Sequence, residues 1–145
     1  MKLSEHLSLK EVIKSNTATR RGISNQPTQQ HLQNLLIVAK EIFEPIRVHF
    51  NEPIYVSSGY RSRELNKAVG GSKTSDHCKG FALDLDQDYR NTKVSNQDIF
   101  EFIRDNLCFK QLINENDYSW IHVSFDAKNL KQEVLELKNG KYIRL

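Results

Sequence analysis

Two short segments, Phe81–Asp86 and Trp120–Phe125, alternate apolar and polar residues with the two-residue period of a β-strand. In the first, Phe81, Leu83 and Leu85 share one face, and Ala82, Asp84 and Asp86 the other. In the second, Ile121, Val123 and Phe125 form the apolar face, while Trp120, His122 and Ser124 look the opposite way. A half-buried sheet turns its apolar face to a core, so Asp84 and His122 are expected on the open face. His77 stands just ahead of the first segment, delivered by the Gly-containing polar loop 70–76. Two imidazoles and one carboxylate are the ligand set of a zinc site that keeps a fourth position for water. Taken singly, each residue has a plainer reading, a hydrogen-bonded histidine or a turn-closing aspartate, and spacing alone leaves that choice open.

The rest of the chain predicts helices early and strands late. Ser8-Leu9-Lys10-Glu11 has the capping-box form and opens a short helix through Val12 and Ile13. A polar link follows over 16–26. Thr28 then caps a long helix whose Leu32, Leu35, Leu36, Ala39, Ile42, Phe43 and Ile46 recur at three- and four-residue steps, with Pro45 expected to kink or end it. Strands are expected over 54–57 and 111–113, and brief or capped helices start at Ser62 and Ser95. Residues 114–119 read as a connection, and 134–145 as a hairpin around Asn139-Gly140. This order predicts an α+β fold with a largely antiparallel sheet, the polar site on its open face and helices packed on the other.

At 145 residues the chain is expected to form one domain over 1–145, and its 27% charged residues describe an ordinary globular protein. A net charge of +3, with no dense Lys/Arg block, argues against a nucleic-acid partner. No segment approaches the length of a membrane span, so no membrane partner is expected. Met1-Lys2-Leu3-Ser4-Glu5-His6 lacks the apolar run of a signal peptide, which predicts a cytoplasmic protein on synthesis. Cys78 and Cys108 are two lone thiols, and Cys78 is not expected among the ligands.

Ser58-Gly59-Tyr60-Arg61-Ser62, Leu65-Asn66, Val69-Gly70-Gly71, Ser75-x-His77, Gly80-x-Ala82-x-Asp84 and Trp120-Ile121-His122-Val123-Ser124 together resemble the zinc D-Ala-D-Ala carboxypeptidase family. The resemblance is narrower with its small phage-type branch, which includes endolysins cutting L-alanyl-D-glutamate bonds and dipeptidases cutting D-Ala-D-Ala. Ser8-Leu9-Lys10-Glu11, Thr17 to Ile23 and Asn25-Gln26-Pro27 extend it, so that it covers residues from about 8 to 125. It implies the Hedgehog/D-Ala-D-Ala-peptidase-like fold, a monomer, a zinc cofactor (Zn2+), and a peptidoglycan peptide as substrate. It also implies a cytosolic product, phage-encoded or not, that reaches the cell wall after release.

Carried over by position, His77, Asp84 and His122 match the family's zinc ligands, and Arg61 the arginine that faces the scissile carbonyl. Ser75 is expected either to meet the substrate or to cap its loop, Trp120 to form a wall or simply to pack, and Gly70-Gly71 to serve tight backbone geometry. Many relatives place an acidic general base three residues before the last histidine, where this chain has Ser119. A serine cannot take a carboxylate's part in accepting a proton, so the task falls to Glu115 or Asp117, with Glu115 favoured. If neither reaches the metal, the alternative is a non-catalytic zinc-containing module that binds cell wall or serves as a phage structural piece.

Overall fold

The Ser8 hydroxyl accepts from the Glu11 amide at 3.3 Å, and the Glu11 carboxylate accepts from the Ser8 amide at 3.1 Å. This capping box starts helix α1 (Leu9–Ile13) as expected. In this computed structural model, which describes residues 1–145, a small hairpin of β1 (Lys2–Ser4) and β2 (Leu7–Ser8) precedes α1. The polar link expected over 16–26 holds a helix instead, α2 (Asn16–Arg21). Ser15 caps its start, and Gly22, at φ 64°, closes it in the left-handed region. Ala18 is its one buried residue, so α2 has no apolar stripe for periodicity to reveal.

Thr28 caps α3 (Gln29–Val38), but Pro45 does not end the helical run. A π-helical turn over Ala39–Phe43 resets the hydrogen-bond ladder, and Pro45 then falls in the first turn of α4 (Glu44–Phe50). There its missing N–H deprives the helix of little. The uninterrupted run buries Leu35, Ala39, Ile42, Phe43 and Ile46, with Leu32 and Leu36 packed at the margin.

A six-stranded sheet takes the other side of this core. Its strands are β3 (Val56–Ser58), β4 (Ala82–Leu85), β5 (Gln111–Glu115), β6 (Trp120–Ser124), β7 (Glu133–Lys138) and β8 (Lys141–Arg144), in the order β3-β4-β6-β5-β7-β8. Helix α5 (Arg63–Ala68) follows β3, and α6 (Asn96–Asn106) follows β4. All pairings are antiparallel except β5 with β7. After β6 the chain returns to the beginning of β5, where the Gln132 amide donates to the Phe109 carbonyl and the Glu133 amide to that of Lys110. β7 therefore starts beside the start of β5 and runs with it. The Asn139-Gly140 turn, with both residues at positive φ, makes the expected hairpin to β8.

Register settles which residues share a face. Asp84 is opposite His122, and His122 opposite Ile113; Glu115 is opposite Trp120. The alternate residues Leu83, Leu85, Ile121, Val123 and Leu112 are buried against Phe43, Ile46, Ile99 and Ile103 of the helices. The architecture is thus α+β with a mostly antiparallel sheet, apolar toward the helices and polar on the face holding Asp84 and His122. No helix is long and apolar enough to cross a membrane.

Candidate metal centre

His77 reaches the sheet from a 3-10 turn (Asp76–Lys79), not from a strand. The Ser75 hydroxyl accepts from the His77 amide at 3.2 Å and so caps the turn that presents the ring. The ring's Nδ1 lies 2.6 Å from the Gly59 carbonyl oxygen. A carbonyl only accepts, so Nδ1 carries the proton and Nε2 keeps its lone pair in the neutral ring. That Nε2 lies 3.2 Å from Asp84 Oδ1, and His122 Nδ1 lies 3.0 Å from the same oxygen. The three ligand atoms fall within 4.8 Å of one another, and the two rings meet edge to face with centroids 5.1 Å apart. A lone pair aimed at a carboxylate oxygen is repulsive unless a cation lies between them, which is the chemistry of a metal ligand set. Burial opposes the charge on Asp84, but positive charge at His77 and His122, carried by the protonated rings or by a metal cation in the protons' place, outweighs it and holds the carboxyl far below the usual range. The donors fit zinc. Cys78, beside His77, is not among them.

Gly59 earns its place by closeness: a Cβ there would stand 2.5 Å from the Val12 carbonyl oxygen and 2.9 Å from Val12 Cα. The Tyr60 amide donates to that same carbonyl at 2.8 Å, clamping the His77-holding backbone onto α1. Asn25, buried, grips the next three residues. Its Nδ2 donates to the carbonyls of Tyr60 (3.0 Å) and Ile13 (2.8 Å), and its Oδ1 accepts from the Ser62 amide at 2.7 Å. The grip falls on either side of Arg61, whose own amide donates to the His77 carbonyl. The Arg61 Nε is buried without a hydrogen-bond partner, and the side chain borders a groove of about 520 Å³ that also contains the three ligands.

Glu115 lines the same groove, buried. Burial pushes its carboxyl up, His122 draws it down, and the Asp84 charge pushes it up again; the net shift is upward. The strand runs two residues further than the sequence suggested, which puts Glu115 on β5 and not in the connection. Asp117 is exposed and lies outside the groove, in a turn where Asn116, Asp117 and Tyr118 all have positive φ. Ser119 donates its hydroxyl to the Asn116 carbonyl at 2.7 Å and closes that turn. Trp120 and Ser75 both border the groove. Gly70 and Gly71 do as well; Gly70 has φ 76°, and a Cβ on Gly71 would collide with the Asn66 side chain.

Sequence reasoning missed the rest of the lining. Lys110 enters and pairs with the buried Asp76 at 2.9 Å, and Lys131 and Tyr142 close the far wall from the C-terminal region. Asn25 belongs to the Asn25-Gln26-Pro27 motif, but a buried amide straddling Arg61 has no signature in spacing. Residues 5–124 match the family model described as Peptidase M15, which stops short of Lys131 and Tyr142. No curated protein matches the chain.

Proposed function

The chain belongs to the peptidase M15 family, and from that premise we propose that it is a zinc metallopeptidase hydrolysing the stem peptides of peptidoglycan. His77, Asp84 and His122 would hold the zinc. Zinc bound there supplies Lewis acidity, which acidifies water and polarises a carbonyl. Glu115 takes the proton from the attacking water and passes it to the leaving amine. The upward shift of its pKa favours that work, because it makes the protonated carboxyl easier to form after the base step. Arg61 donates to the carbonyl oxygen as that oxygen gains charge. Trp120 and Ser75 border the space where the peptide lies.

One observation carries the catalytic reading over the non-catalytic binding module: a buried carboxylate, Glu115, faces the same groove as the three candidate ligands. Asp117, outside the groove, is assigned no part in the reaction. The same reading takes residues 1–145 as one peptidase domain of the Hedgehog/D-Ala-D-Ala-peptidase-like fold, monomeric, acting on the wall after release in the manner of a phage endolysin. Glu115→Gln is expected to retain zinc and fold while releasing no peptide from purified cell wall, and Asp117→Asn to retain most activity. Metal analysis paired with mass spectrometry of the wall digests reads both. A wild type that holds zinc and releases nothing would return the module reading.

A further inference from the structure

Between residues 61 and 81 the chain carries five cations, Arg61, Arg63, Lys67, Lys73 and Lys79, against two acids, Glu64 and Asp76. That excess of three equals the whole net charge of the protein, +3. Asp76 is in addition neutralised by Lys110. Arg63, Lys67 and Lys73 converge on one cavity of about 450 Å³ between α5 and the loop that follows it. All three are exposed and, like most of the chain's Lys and Arg, none lies within 4.0 Å of a carboxylate oxygen. Gly70 and Gly71 form a rim common to this cavity and the metal groove, so a ligand lying in the groove can continue over the glycines into it.

Like charges gathered without counterions around a concavity repel one another, and an anion settling among them relieves that repulsion. We infer that the cavity lined by Arg63, Lys67 and Lys73 is a subsite for a free carboxylate of the peptide whose scissile bond lies in the groove. The inference rests on the stem-peptide reading and adds to it the charge of the substrate and the direction in which it extends. The shared rim favours a carboxylate of the same molecule over a phosphate of a separate wall polymer.

The test compares wild type with a Lys67→Gln/Lys73→Gln double variant, both zinc-loaded and in a Glu115→Gln background so that ligand is not consumed. Affinity is followed by the fluorescence of Trp120, the only tryptophan, which borders the groove. The probes are a synthetic stem tetrapeptide, the same peptide with all its free carboxylates, the C-terminal one included, amidated, and wall preparations with and without phosphate polymers. The double variant is expected to bind the carboxylate peptide about three- to tenfold more weakly, as for two exposed ion pairs, and the amidated peptide equally well. Added salt is expected to narrow the difference. Equal affinities for the carboxylate peptide, or the same loss with the amidated one, would overturn the subsite while leaving the peptidase reading intact. No binding of either peptide by the parent protein would remove both. A loss seen only with walls carrying phosphate polymers would reassign the cavity to phosphate and overturn the carboxylate.

Discussion

Asn25→Ala removes three hydrogen bonds from one buried point: two donated to the Ile13 and Tyr60 carbonyls and one accepted from the Ser62 amide. A buried bond of this kind contributes about 1 kcal/mol net, and its orphaned partner adds the cost of lost solvation, so the expected destabilisation is about 3 kcal/mol. For a chain of this size that corresponds to a fall in Tm of roughly 10 °C. Circular dichroism melts and urea titrations measure it directly. Asn25→Asp keeps the acceptor for Ser62 but sets a buried carboxylate oxygen against the Ile13 and Tyr60 carbonyls, and should be at least as destabilising as Ala at neutral pH. The grip straddles Arg61, so its loss is expected to lower kcat for wall-peptide release while zinc content stays normal, because no metal ligand contacts Asn25. An Asn25→Ala protein melting within about 2 °C of wild type would refute the energetic argument. One that melts early yet turns over at the wild-type rate would show that the clamp does not position Arg61.

His122→Ala leaves one histidine and one carboxylate at the centre, and is expected to lose most of the zinc; full occupancy by metal analysis would remove His122 from the ligand set. Gly59→Ala drives a methyl group against the Val12 backbone, where nothing can swing aside, and should cost about 1–3 kcal/mol together with weaker zinc binding, since the Gly59 carbonyl holds His77. Burial raises the Glu44 carboxyl, but its hydrogen bonds with the ring and amide of His6 prevail, so its pKa is lower in the folded protein. The stability it contributes is therefore present above the ordinary carboxylate pKa and is lost as pH falls through the depressed value. Urea midpoints of Glu44→Gln against wild type should converge as the pH is lowered below about 4, and parallel curves would contradict the linkage.

Local signals announced many of the elements. Hydroxyl caps at Ser8, Thr28 and Ser95 and the Asn139-Gly140 turn act through neighbours a few residues away, so they are visible in a short window of sequence. Pro45 shows the limit of that window. Whether a proline ends a helix depends on whether the flanking residues bury enough apolar surface to hold a π turn in place, as Ile42, Phe43 and Ile46 do. The parallel β5–β7 pair likewise depends on where the chain re-enters the sheet, which residue type does not encode.

By itself the sequence determined that Asp84 and His122 share a polar face, because side-chain alternation is a property of every strand, and that His77 precedes them on a loop. Only the tertiary structure decided that Glu115 faces these residues while Asp117, two positions on, does not. A strand end and a left-handed turn separate the two carboxylates, and their destinations follow from backbone hydrogen bonding across β6 and β7. It also brought Asn25, Arg61, Lys131 and Tyr142 to the site from distant parts of the chain. Those meetings are set by packing a whole core, whose energy is shared among many contacts and is written in no single stretch of residues.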